Sequence, residues 1–84
     1  MTKLEEKLIE LGYKKELVYT KEFCTKDNYL IVFIYIVASP HKINDYRVMV
    51  ASPFSFSKQE HIDLLQLAYN TMQKDLEELK NVKD

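Results

Sequence analysis

The side chains able to do chemistry in this sequence are few and far apart. His41 and His61 are its two histidines, Cys24 its single cysteine, and Ser52, Ser55 and Ser57 lie near His61 in sequence. A general base needs a partner that orients it, and a metal needs three or four ligands at fixed spacing. Glu60-His61-Asp63 comes closest, but at the start of a helix those three positions point in different directions. No acyl-transfer signature surrounds the serines. One glycine in 84 residues leaves no phosphate-cradling loop. The sequence therefore predicts no catalysis, no metal and no cofactor. Cys24 has no partner for an intramolecular disulfide, fits a reducing compartment, and reads as a small buried hydrophobe.

Function must then come from surfaces, and surfaces from the elements that carry them. The organising stretch is Tyr29–Ala38, ten residues without a charge and mostly β-branched or aromatic. Such side chains pack well on a pleated surface, so the run predicts a strand. Leu30, Val32, Ile34, Ile36 and Ala38 fall on one face, and Tyr29, Ile31, Phe33, Tyr35 and Val37 on the other. A strand with one solvated face would alternate apolar with polar. This one does not, so both faces want cover.

Around it the chain divides cleanly. Residues 2–11 predict a helix: Thr2 and Glu5 have capping-box spacing, and Leu4, Leu8 and Leu11 recur on one face. Gly12 then stands where a left-handed residue ends a helix, and Tyr13 can supply the hydrophobic contact that follows. After a connection at 14–16, Leu17–Thr25 predicts a first strand, with Leu17, Tyr19 and Phe23 opposite Thr20 and Glu22. Lys26-Asp27-Asn28 predicts a hairpin turn. Ser39–Asp45 predicts a longer loop, because Pro40 cannot donate to a ladder. Tyr46–Ala51 predicts a third strand, which Ser52-Pro53 breaks. Phe54 and Phe56 follow in a connection, and at least one is expected to anchor in the core. Ser57-Lys58-Gln59-Glu60 predicts a second capping box, opening a long helix to Lys80 or Asn81. The expected fold class is α+β: α-β-β-β-α in one domain, 1–84, with a three-stranded antiparallel meander packed by a short N-terminal and a long C-terminal helix.

Two surfaces stand out. The long helix carries Ile62, Leu65, Tyr69, Met72, Leu76 and Leu79 at heptad spacing. Beyond residue 69 this seam narrows to Met72, Leu76 and Leu79 among charged neighbours, as in a helix that meets another helix. That other helix is either the N-terminal one or a second subunit. If the aliphatic face of the central strand meets the helices, the other face presents Tyr29, Ile31, Phe33 and Tyr35. Thr20 and Glu22 then lie on one side of it, and Arg47 and Met49 on the other. A tyrosine-rich apolar stripe with a polar rim has the composition of an interaction patch. The alternative is that the segment 52–56 covers it. The expected protein interface is thus Tyr29, Ile31, Phe33, Tyr35, Arg47, Met49, Met72, Leu76 and Leu79, used for a homodimer or a protein partner.

Charge separates the remaining classes. Twelve basic and thirteen acidic residues give a net charge of −1, with no global pull toward nucleic acid or membranes. The longest apolar run is half of what a membrane helix needs, and the charged N-terminus has no signal-peptide core; a cytoplasmic protein is expected. The order α-β-β-β-α resembles double-stranded-RNA-binding domains, and Ser39-Pro40-His41 is similar to their Gly-Pro-x-His loop. In that family, however, the loop precedes the second strand, and lysines cluster at the start of the last helix. Here Lys58 is followed by Gln59, Glu60 and Asp63, which repel phosphates as much as hold them. A nucleic-acid-binding module is therefore the alternative, not the first reading.

In its opening Lys3-Leu4-Glu5-Glu6-Lys7-Leu8-Ile9-Glu10-Leu11-Gly12-Tyr13 and its closing Met72-Gln73-Lys74-Asp75-Leu76-Glu77-Glu78-Leu79, the chain resembles small uncharacterised proteins of bacteriophages and prophages of low-GC Gram-positive bacteria. The resemblance implies an accessory role: binding and inhibiting, or redirecting, a host or defence protein.

Overall fold

In a computed structural model, which describes residues 1–26, 30–51 and 58–83, the chain begins with α1 (Lys3–Glu10). Thr2 caps it. The Glu5 backbone N–H donates to Thr2 Oγ1 at 3.3 Å, and the Thr2 N–H donates to Glu5 Oε1 at 3.0 Å. The Thr2 hydroxyl also donates to the Pro40 carbonyl at 2.6 Å, tying the helix start to a distant turn. At the other end Gly12 takes φ +98°. The Gly12 N–H returns to the Ile9 carbonyl and the Tyr13 N–H to the Leu8 carbonyl, both at 3.0 Å. That pair of bonds is a Schellman motif, and its usual apolar contact is present because Leu8 and Tyr13 share one core cluster.

The sheet has four antiparallel strands in sequence order, β1 (Lys14–Lys15), β2 (Tyr19–Cys24), β3 (Ile31–Ser39) and β4 (Lys42–Val50). This corrects the three-strand expectation. The extra strand is the Lys14-Lys15 pair, too short and too polar to show any alternation. It is held by a tight turn in which the Glu16 N–H donates to the Val18 carbonyl at 2.9 Å. Leu17, expected in the first strand, sits at that turn and is fully exposed. The expected loop 39–45 is also shorter than its composition suggests. Ser39 pairs with Lys42, leaving Pro40 and His41 as a two-residue turn, and Lys42–Asp45 belong to β4. Polar residues are tolerated there because β4 is an edge strand. Asn44 is the extra residue of a bulge, since Val37 pairs with Asp45 but Ala38 with Ile43. The bulge turns Ile43 to the same face as Tyr46.

The long helix α2 (Gln59–Lys80) lies with α1 on the even face of β3. Leu30, Val32, Ile34 and Ile36 are fully buried there. Leu4, Leu8, Tyr13, Tyr19, Met72 and Leu79 form one cluster with Ile34 and Ile36, and Ala68 joins Leu30 and Val32 in another. The N-cap of α2 is Lys58, without a side-chain cap bond. The expected capping Ser57, the Phe54 and Phe56 anchor, the 52–56 cover and most of the turn at 26–28 lie outside the described residues.

Glu5 links α1 to the sheet, because its second carboxylate oxygen accepts from Lys15 Nζ at 3.2 Å. The Thr2 backbone N–H, followed by the Lys15 ammonium, lowers its pKa from 4.5 to about 2. A carboxylate depressed in the folded state stabilises the fold above its unfolded pKa, and the gain is lost as pH falls through the folded value. The stability of the wild type is therefore expected to drop between pH 4.5 and about 2 more steeply than that of Glu5→Gln. Urea midpoints measured across that range check this; parallel curves would contradict it.

Candidate interaction surface

One buried polar cluster marks the face of the sheet that meets the helices, and so the face that neither described helix covers. Asp75 of α2 is 4% exposed, and its Oδ2 accepts from the Tyr13 hydroxyl at 2.8 Å and from Lys21 Nζ at 2.7 Å. The Lys21 ammonium also lies 4.6 Å from the centre of the Tyr13 ring. Burial, then the Asp75 carboxylate, pushes the Tyr13 hydroxyl well above its usual pKa, so it stays a donor. Lys21 leaves β2 on the helix side. Its neighbours Thr20 and Glu22 are thereby committed to the opposite face, together with Ile31, Phe33 and Tyr35 of β3.

On that open face the pairing is explicit. Thr20, Tyr35 and Arg47 form one row, and Glu22, Phe33 and Met49 the next. Ile31, Phe33, Tyr35 and Val37 are half-buried along β3, four apolar positions in succession. Arg47 lies over the Tyr35 ring at 5.8 Å and donates to Asp45 Oδ2 at 2.5 Å. This contact holds the Asp45 carboxyl below its usual range. Met49 is 39% exposed. Five of the nine expected interface residues thus share one surface: Ile31, Phe33, Tyr35, Arg47 and Met49. Tyr29 lies outside the described residues.

The other three lie elsewhere. Met72 and Leu79 are buried in the chain's own core, and Leu76 is half-buried beside them. Leu4 and Leu8 of α1 cover those turns, so within the chain the partner of the narrow seam is α1. The seam reads as narrow only while Asp75 is grouped with the charged surface. Its ion pair with Lys21 places it inside the contact face, between Met72 and Leu79. Meanwhile Ile62 and Tyr69 of the same heptad stripe are 45% and 50% exposed.

Of the remaining candidates, Ser52, Ser55 and Ser57 lie outside the described residues. Cys24 is exposed at the end of β2, not buried, because its strand position faces the open side. His61 is buried while Glu60 and Asp63 point outward, and no group of three metal-ligating side chains occurs among the described residues. Among the described residues no helix is long and apolar enough to cross a membrane. Sequence reading missed one further feature, a groove of about 330 Å³ between α2 and β4. Ile43, Tyr46, Gln73 and Leu76 are among its walls. The bulge at Asn44, which aims Ile43 into it, leaves no mark in the residue pattern.

Comparison with protein-family models, with curated proteins and with solved structures finds no match to this chain.

The Asp75 cluster gives a sharp expectation. Lys21→Met strands a carboxylate whose side chain is 6% exposed, and should cost about 3–5 kcal/mol. Lys21→Met combined with Asp75→Leu removes both charges and should restore much of that loss. Chemical denaturation of the two variants decides it; equal losses would mean that the cost of Lys21→Met does not come from a stranded charge.

Proposed function

We propose that this chain is a non-catalytic protein-interaction module that self-associates. In this reading it acts in the cytoplasm as a phage-type accessory protein that binds a host or defence protein, to inhibit or redirect it. The observation that carries the reading is the open face of β3. Ile31, Phe33, Tyr35 and Val37 line a face on which neither described helix packs, flanked by Glu22 and Arg47. Exposed sheet faces normally alternate toward polar residues. Four apolar positions in succession, rimmed by opposite charges, suit a protein partner.

The nucleic-acid alternative loses support from the ion pairs. The first cations to suspect are Lys14, Lys15, Lys42 and Arg47. Lys14 pairs with Glu16 at 3.4 Å, Lys15 with Glu5, and Arg47 with Asp45. Phosphate affinity needs several unneutralised cations acting together. Gel shifts with duplex DNA or RNA at micromolar protein and near-physiological salt should show no binding. Sub-micromolar affinity that collapses as salt rises would overturn this.

The module reading is tested by two neighbouring substitutions. Ile34→Asp puts an unpaired charge at a fully buried position and should unfold the domain. Phe33→Asp, on the open face, should keep the wild-type circular dichroism spectrum and lose whatever protein the wild type captures specifically from a bacterial host lysate. Capture unchanged by Phe33→Asp, or recovery of nucleic acid in place of protein, would sink the reading.

A further inference from the structure

We infer that two copies of the chain pair antiparallel through the outer edge of β4, which no other described strand pairs, joining their sheets about a two-fold axis at Val48. The inference rests on the self-association proposed above and says where it occurs. The Ala51 N–H donates to the Ile31 carbonyl at 2.9 Å, which fixes the phase of the β3–β4 ladder. Arg47 and Met49 therefore bond inward to β3, and Tyr46, Val48 and Val50 direct their backbone groups away from the sheet. The Tyr46 N–H agrees with this phase, since it is met by its neighbour Asp45 Oδ1 at 2.9 Å. A row of outward ladder groups on a nine-residue edge strand is a template for another strand.

The apolar side chains on this edge favour a second copy over a foreign strand. Gln73 and Leu76 line the groove with Ile43 and Tyr46, so that flank of α2 faces the β4 edge. Ile62 and Tyr69 share the same flank by helical spacing. Tyr46, Ile62 and Tyr69 on the helix side of this edge, and Met49 on its other side, are 39–50% exposed. A lone peptide strand would cover the edge and leave the helix flank bare. A two-fold axis normal to the sheet brings edge to edge and flank to flank at once.

Register and size agree with this. Centring on Val48 uses all three outward residues, Val48 facing Val48 and Tyr46 facing Val50. Centring on Tyr46 would set the Asn44 bulge against the partner ladder. In the Val48 register Arg47 faces Met49, so no like charges oppose each other. A half-exposed tyrosine offers roughly 100 Å². The four side chains with the edge backbone offer about 500 Å² per copy, and about 1,000 Å² in total is the threshold of a specific interface.

Sedimentation equilibrium at 1–100 μM tests the inference, with circular dichroism as the folding control. The wild type should reach twice the 10.0 kDa chain mass. Tyr69→Glu should weaken the dimer at least tenfold. Tyr46→Pro, which removes an outward donor and no β3 bond, should do the same, while Phe33→Asp stays dimeric. A dimer lost in Phe33→Asp but kept in Tyr69→Glu would place the contact on the open face; this inference would fall and self-association would stand. A wild type that is monomeric throughout would remove both, leaving the capture experiment with Phe33→Asp to judge the open face by itself.

Discussion

One buried carboxylate joins three elements of the structure. Asp75 sits where α2 crosses β2, and no apolar residue takes its place. Burying an ion there is tolerable only because Lys21 and Tyr13 both bond to it. Those two residues come from different elements. Tyr13 follows the Schellman turn of α1, and Lys21 lies in the middle of β2. One side chain of α2 therefore ties together the end of α1, the second strand and the long helix. An apolar contact could slide by a turn with little loss, but a two-donor carboxylate cannot. The cluster lies on the same face of α2 as Ala68, Met72 and Leu79, and agrees with their burial on the rotation of the helix about its axis.

That rotation explains how the heptad stripe divides. With Asp75 pointing at the sheet, Ala68, Met72 and Leu79 fall into the core and Ile62 and Tyr69 onto the flank above β4. A stripe that reads as one seam in the sequence thus serves two purposes. Its inner half packs on the chain's own sheet and on α1. Its outer half lies beside an edge strand.

Much of the fold is legible in the sequence because the residues that specify it act locally. Thr2, Glu5 and Gly12 define α1 through bonds within a few positions of themselves, and the folded chain forms the cap and the turn that their spacing foretells. The β-branched and aromatic run yields the central strand, Ile31–Ser39, and parity gives its two faces. The assignment of Ile31, Phe33, Tyr35, Arg47 and Met49 to one surface follows from parity alone. What escapes is non-local or too short to show a period. Lys14-Lys15 has no pattern at two residues, and the bulge at Asn44 is visible only in pairing. Asp75 cannot be recognised as core, since its partners lie 54 and 62 positions away. Cys24 is misread for a simpler reason: cysteine is commonly buried, and that tendency outweighs a strand parity that says otherwise.

The size of the chain connects these points to function. A domain of about this length buries only about 60% of its unfolded surface, so its core has little to spare. Here one face of β3 meets two helices and completes the core. The other face is as apolar as the first along β3, and among the described residues neither helix packs on it. Polar residues at Phe33 or Tyr35 would cost the monomer little, since both are only half-buried. The same holds for Tyr69, half exposed on a helix whose inner face is already filled. In the function proposed above, these residues, grouped on the open sheet face and on the β4 flank, serve contacts outside the chain. If two β4 edges meet, the open faces of both copies become one continuous sheet surface. A stripe too narrow to hold a partner by itself is then doubled without adding a residue to the chain.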